Sequence, residues 1–434
     1  MHVHLNKKVL LFLSAGLLSP ALVWADSSIS AADTAWMLVA TGLVLLMIPG
    51  LALFYGGMVR SNNALSAVMH SLFAMGVMSL QWYVIGYSLA WGSDTGFGFI
   101  GGMEFFMLNN VGLEANGSIP HVLFMMFQGM FAIITPALIA GAVVERIKFS
   151  AWVAFIVLWG TLVYDPLCHM VWHPDGFLLQ RGGLDFAGGL VVHVSSGVSA
   201  LVLAVVIGKR ISYGKIPMPP HNLVITVLGA ALLWFGWFGF NAGSALAADG
   251  ISANALVVTH LSAASGLFAW VMAEWVFIKK PSVLGAASGL VAGLVAITPA
   301  SGFVTASASV VIGLIGGFVC FLGVRLKDRF GFDDSLDAFG VHGIGGMVGA
   351  LLTGLFATTL INPGGADGVF YNLSSGLGLL FEQVLGIAIT VAYASIVSLI
   401  IAKAIDLTIG LRVSNEVEVQ GLDGPLHGEK AYND

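Results

Sequence analysis

Runs of about 20 apolar residues with few or no charges follow one another along nearly the whole chain, and a helix of that length spans the ~30 Å hydrocarbon core of a bilayer. The runs fall near 33–58, 65–92, 121–144, 150–173, 187–208, 222–246, 254–278, 283–299, 306–325, 338–360 and 375–405, eleven in all. In hydrocarbon the backbone must satisfy its own N–H and C=O groups, which restricts such runs to helices. Only 9% of residues are charged and 58% are hydrophobic, with mean hydropathy +0.93, whereas soluble domains carry roughly 25% charged residues. These features predict an all-α polytopic membrane protein with eleven transmembrane helices.

The first residues read differently. Lys7 and Lys8 precede an apolar run from Val9 to Val23, and Val23-Trp24-Ala25 before Asp26 fits a small-residue cleavage site. Residues 1–25 are therefore expected to be a secretory signal peptide, whose removal shifts the net charge from −6 to −8 (15 basic against 23 acidic residues). No basic surface remains that would suit nucleic acid. Cys168 and Cys320 lie in different halves without a CxxC partner, so neither a disulfide framework nor a metal site is implied.

Basic residues are distributed unevenly among the connecting segments. Arg60, Arg146, Lys148, Lys209, Arg210, Lys215, Lys279, Lys280, Arg325, Lys327, Arg329, Lys403, Arg412 and Lys430 fall on one set, and Arg181 alone on the other. The positive-inside rule then puts the mature N-terminus outside and the C-terminus in the cytoplasm, the orientation that a cleaved signal peptide also demands.

Eleven divides into five, five and one. Because five is odd, a repeated five-helix unit starts from opposite sides of the membrane, so the expected architecture is two inverted five-helix repeats, about 33–208 and 222–360, plus a final helix at 375–405. The ionisable residues agree: His193 falls in the fifth span and His342 in the tenth, each after an aspartate and small residues, Asp185-Phe-Ala-Gly-Gly-Leu-Val-Val-His193 and Asp337-Ala-Phe-Gly-Val-His342. An ionisable group at that depth either packs against a neighbouring helix or lines a polar path, and its duplication favours the path. Most of the 56 glycines, as in Gly285-Ala-Ala-Ser-Gly289 and Gly313-Leu-Ile-Gly-Gly317, are expected to pack helices closely.

Several blocks coincide with one family: Phe124-Met-Met-Phe127-Gln128-Gly-Met-Phe131-Ala-Ile-Ile-Thr135-Pro, Glu145-Arg146, His169-Met-Val-Trp172, Asp185-Phe-Ala-Gly-Gly with His193, Gly236-Trp237-Phe238-Gly-Phe240-Asn241-Ala-Gly-Ser244, and Asp337-Ala-Phe-Gly-Val-His342-Gly. In this order they closely resemble the ammonium transporter/methylammonium permease family, bacterial relatives of the Rhesus proteins. The likeness covers the mature chain, including the tail from Gly410-Leu-Arg412-Val to Tyr432. It implies a membrane domain at 26–408, a cytoplasmic tail at 409–434, a homotrimer in the bacterial inner membrane, and transport of ammonium/ammonia and methylammonium without a cofactor.

The resemblance also implies roles for residues. Phe127, Trp172 and Ser244 would bind the cation at the outer mouth, where an aromatic face attracts a cation and a hydroxyl accepts an N–H hydrogen bond. Phe131 and Phe240 would form a gate beneath them, and His193 and His342, beside Trp237, a pore and proton relay below it. Asp185 would be a buried structural and electrostatic carboxylate, with Asp337 as its repeat counterpart. Asp165, in Tyr164-Asp-Pro166, receives no role. From the residues alone, the tail after Leu411 reads as a loosely ordered terminus; the resemblance implies instead that it packs under the trimer and meets a PII-type signal protein. A sensor or transceptor of the same fold with little flux would have the same sequence features. An intramembrane enzyme using Ser195 or Ser196 near His193 lacks an accompanying HExxH, paired-carboxylate or Gly-x-Ser-x-Gly motif, so no enzyme activity is expected.

The charge asymmetry generates a direct test. A reporter fused after Asp434 should be active in the cytoplasm, and periplasmic activity of that fusion would remove the eleven-span arrangement.

Overall fold

The computed structural model describes residues 28–432; the expected signal peptide lies outside the described residues. Ten helices are long and apolar enough to cross a membrane: α1 (Ala31–Met58), α2 (Ser61–Trp91), α3 (His121–Val143), α4 (Phe149–Gln180), α5 (Gly189–Ile207), α6 (Leu223–Gly243), α7 (Gly250–Phe277), α9 (Ala306–Phe330), α10 (Phe339–Phe356) and α11 (Leu373–Thr408). The shorter α8 (Val283–Ile297) completes the eleven. Its 15 residues rise only ~22 Å, and buried turns over 298–304 complete that span. Irregular backbone is tolerated at this depth because protein, not lipid, surrounds it.

Start signals are local. Side chains of Ser30, Asn222, Asp249, Ser282, Thr305 and Asn372 accept backbone N–H bonds at the first turns of α1, α6, α7, α8, α9 and α11. A two-strand hairpin, β1 (Ala115–Asn116) with β2 (Ile119–Pro120), precedes α3, too short to have been visible as an apolar pattern.

The two five-helix units are inverted. The end of α1 meets the start of α6, where Asn222 N–H donates to the Gly57 carbonyl at 3.1 Å. At the other ends, the Ala248 amide beyond α6 donates to Asp33 of α1 at 2.8 Å. α5 and α10 likewise cross head to tail. A Cβ on Gly197 of α5 would collide with the backbone of His342 and Gly343 in α10, and one on Gly346 would meet the Gly189 carbonyl and the Cβ of His193. Only hydrogen at these positions permits that approach. α7 is pressed between α8 and α9 in the same way, with Gly289 and Gly317 both against Gly266. α11 lies against α5, where Trp159 of α4 donates to Ser199 and Ser398, themselves 2.8 Å apart.

One end of the molecule carries the C-terminal segment and is called the tail face. The segment is not a loose terminus: a short helix α12 (Asn415–Gln420) and residues to Tyr432 are bonded to the loops. Arg412 donates to the Ile207 and Lys209 carbonyls and pairs with Glu418 at 2.7 Å, while Glu418 also accepts from the Ile211 amide. Glu145 accepts from Arg60 and Arg210, and Arg210 continues to Asp333 at 2.8 Å. Burial would raise the Glu145 carboxyl, but Arg210 and Arg60 outweigh it and hold the group below its ordinary range. The tail departs from the loose terminus that the residues alone suggested, because its polar residues bond to loops that come together only in the folded bundle.

The α5–α10 crossing can be tested by contrast. Gly378→Ala, with open space around its Cβ, should leave stability unchanged or raise it by up to ~1 kcal/mol through helix propensity. Gly197→Ala should lower stability by about 1–3 kcal/mol, the usual cost of overpacking, as read by thermal unfolding in detergent.

Candidate functional site

α5 and α10 do not begin as ordinary helices. Each opens with a π turn, Gly189–Val194 and Phe339–Gly343, and each turn carries a histidine. A wider turn leaves backbone N–H groups at the helix entry that a normal side-chain cap does not reach. At α5 the Asp185 carboxylate accepts four of them, from Gly188 (2.9 Å), Gly189 (2.5 Å), Leu190 (2.7 Å) and Val191 (3.2 Å). Gly188 stands at φ +114° to let the chain turn inward.

At α10 the matching carboxylate is Asp334, not Asp337. Asp334 accepts from Ala338 at 3.0 Å and Phe339 at 2.8 Å, and it precedes His342 by eight residues, the same spacing as Asp185 to His193. Asp337 sits at φ +63° and forms an ion pair with Lys327 at 2.5 Å. The equal spacing was the available sequence signal; an aspartate followed by Phe, Ala and Gly in both segments, Asp185-Phe-Ala-Gly and Asp337-Ala-Phe-Gly, drew attention to the wrong aspartate.

Because α5 and α10 cross at glycine, the two imidazoles meet. Nδ1 of His193 lies 3.3 Å from Nδ1 of His342, with ring centroids 5.3 Å apart. One ring donates and the other accepts, since two like nitrogens share one proton. His193 also stacks on Trp237 at 5.4 Å, and its Nε2 has no hydrogen-bond partner. Trp237 is fixed by donating to Thr298 at 3.0 Å.

Two narrow cavities of about 10 Å³ each, joined at Phe54, Val291 and His342, run past this pair. The first is walled by Ile134, Leu138, Leu233, Trp237, Phe240 and His193; the second continues to Tyr55, Leu336 and Asp337 toward the tail face. Apart from the imidazoles, the first cavity is lined by apolar side chains and the Trp237 ring, in a space about one water wide.

Above the column, Phe240 packs against Phe131 with centroids 4.4 Å apart and ring planes tilted by 41°. A cavity of about 140 Å³ opens on the other side of Phe131, toward the face opposite the tail, walled also by Trp91, Gln128, Trp172, Phe186, Ser244 and Leu246. Trp172 is held by donating from Nε1 to the Asp185 carbonyl at 2.8 Å. Ser244 donates to the Phe240 carbonyl at 2.8 Å, which leaves its lone pairs free to accept. Phe127 is not a wall: it is fully buried behind Phe131, centroids 5.0 Å apart, and against Gly243.

The structure thus gathers Trp172, Ser244, Phe131, Phe240, Trp237, His193 and His342 along one line, with Asp185 under Trp172 and Phe127 set behind. Gln128 is a wall that residue-level reading passed over; it is 8% exposed, and its carboxamide makes no hydrogen bond among the described residues. Its neighbour Phe127 attracted the role, and only the helix phase in the bundle distinguishes them. Ser195 and Ser196 donate to the Val191 and Val192 carbonyls. Asp165 is buried and accepts from Gln81 at 2.7 Å, apart from this line.

An inverted repeat of five helices with a carboxylate-capped histidine at the start of each fifth helix defines a polytopic transport protein with a central path. Residues 35–432 match the Ammonium Transporter Family, and the chain belongs to that family. It is 53% identical to an ammonium transporter of Bacillus subtilis (strain 168) over 406 residues, 93% of this chain and 98% of that one. Its structure resembles Saccharomyces cerevisiae Mep2 with TM-score 0.84 at 38% identity, covering 90% of this chain and 89% of that one. It also resembles a protein described as Sensor Amt Protein, TM-score 0.84 at 28% identity, covering 91% and 98%.

The reassignment of the α10 cap has a measurable consequence. Asp334→Ala should cost about 0.5–2 kcal/mol, as lost helix caps do. Asp337→Ala, which breaks one partly exposed ion pair, should cost no more than about 1 kcal/mol. Thermal unfolding of the two variants side by side checks the order.

Proposed function

We propose that the chain conducts ammonium, and its methylated analogue, across the bacterial inner membrane along the line from the Trp172 cavity to the tail face, which is cytoplasmic. The observation that carries this reading is the sequence of environments: an aromatic cavity, a phenylalanine pair, then a column whose upper part is apolar but for two touching imidazoles. Potassium and ammonium are similar in size, so discrimination rests on what ammonium alone can do, which is donate hydrogen bonds and lose a proton.

The cation is held in the cavity by the Trp172 face and the Ser244 lone pairs, with the Gln128 carboxamide as a further acceptor. Phe127 backs Phe131 and so acts on the gate. Passing Phe131 and Phe240 strips water, and desolvation lowers an amine's pKa by up to ~3–5 units. Ammonia then moves down the column while the proton passes between His193 and His342. Net transfer of one charge couples uptake to the membrane potential at about 2.3 kcal/mol per 100 mV. Asp185 contributes by fixing both Trp172 and the His193 turn. The functional unit is a homotrimer, and the packed tail offers a PII-type signal protein an ordered surface at the exit.

The likeness to a sensor of the same fold supports a second reading, in which the cavity binds ammonium and little passes. Methylammonium uptake into proteoliposomes with simultaneous current recording separates the two: uptake with inward current supports conduction, and saturable binding without either supports the sensor. Within the conducting reading, His193→Ala and His342→Ala should each remove or alter the current while the protein stays folded. The double variant should be little worse than either single one, as for groups acting as a unit. Additive losses, or normal current in a single variant, would refute a shared relay.

A further inference from the structure

His169 lies on α4 one turn before Trp172 and is fully buried. Its Nδ1 is 3.0 Å from the Ala90 carbonyl and its Nε2 is 3.3 Å from Oδ1 of Asp94. Asp94 also accepts the Gly96 amide at 2.8 Å and the Gly98 amide at 3.0 Å. Burial would raise that carboxyl, but the Gly98 and Gly96 amides and the His169 ring hold it below its ordinary range. Asp94 is therefore a carboxylate. Both ring nitrogens of His169 face groups that can only accept, and a neutral imidazole has a single N–H to give them, whereas the imidazolium has two.

The two contacts bind together the walls of the cavity above the phenylalanines. Ala90 precedes Trp91, one wall, and His169 precedes Trp172, the other, by one helical turn. The 94–101 loop built on Asp94 is tied back to α4 by the Phe177 amide, which donates to Gly98 at 2.9 Å. Other titratable groups surround the ring. His173 stacks on it at 4.3 Å, with Asp175 3.9 Å from its Nδ1. Asp165 and Cys168 lie on the same helix, Asp165 bound to Gln81. On the α2 side stand Tyr87, bonded through His121 to Glu114, and Glu104, which accepts from Ser93.

We propose that His169 is a positioning residue of the cation cavity: its two ring nitrogens tie the Ala90 carbonyl to the Asp94 carboxylate, and loss of the ring releases the walls and weakens cation binding from outside. The idea rests on the reading of this cavity as the ammonium site. The sign is informative. An Asp94 carboxylate left without the ring would by itself attract cations and lower KM, so a KM that rises when His169 is removed reports lost positioning.

The test is methylammonium uptake into proteoliposomes of the full chain at one fixed pH, equal inside and outside. His169→Ala should raise KM by about threefold or more, the scale of one net hydrogen bond, while Vmax changes less. His169→Gln, whose carboxamide can restore one of the two contacts, should fall between wild type and His169→Ala. Independently of flux, calorimetry of methylammonium binding to the detergent-solubilised protein should show the same order of affinities. A KM that is unchanged or falls in His169→Ala, or a loss confined to Vmax, would overturn the proposal. Absence of any uptake with the expected order of binding affinities would instead count against the conducting function and leave the clamp standing.

Discussion

The close crossing of α5 and α10 is the constraint on which the rest depends. Neither helix begins with an ordinary cap; each opens in a π turn whose amides are gathered by a carboxylate eight residues before a histidine. Two such turns, entering from opposite faces, set their imidazoles against each other only because Gly197, Gly343 and Gly346 let the backbones approach. A side chain at those positions would separate the helices by more than the 3.3 Å between the nitrogens can tolerate. Buried polar pairs are costly when half satisfied. The fold therefore commits its tightest packing to the point where its most polar membrane-depth groups meet.

The Asp185 carboxylate fixes the His193 turn, and its own carbonyl receives the Trp172 indole. Trp172 faces the upper cavity and packs edge-on to Phe131 at 5.8 Å, and Phe131 in turn lies tilted against Phe240, which is near His193. One residue thereby relates the cavity, the phenylalanine pair and the column. The phenylalanine pair and the column are successive surfaces of a single packed assembly, and displacement of one ring transmits to the next because interiors are close-packed.

The tail face adds a second tier of order. Arg210 joins Glu145 from the first repeat to Asp333 from the second, and Arg412 with Glu418 holds the segment that carries Arg210. Asp333 adjoins Asp334, which caps the His342 turn. Buried ion pairs of this kind contribute less to stability than to a unique arrangement. Here they set the exit segment 331–338 and the C-terminal residues in one register.

Much of this was legible in the residues. Apolar run length fixes helices, because lipid offers the backbone no partner, and an odd number of spans per repeat fixes inversion. Twin histidines at matching spans and the family blocks pointed to Trp172, Ser244, Phe131, Phe240, Trp237 and Asp185. What the sequence could not decide was phase and proximity. Phe127 and Gln128 are neighbours in sequence, and only the rotation of α3 in the bundle turns Gln128 to the cavity and Phe127 behind Phe131. Asp337 was expected as the repeat counterpart, and backbone geometry at the π turn selects Asp334 instead, whose oxygens reach the free amides. The tail reads as polar and loose, yet its partners lie more than 200 residues away in the chain and exist as a surface only after the helices pack. Local pattern determines which segments are helices and which groups must be protected from lipid; tertiary packing determines which of those groups touch, because contact depends on distances that no spacing in sequence records.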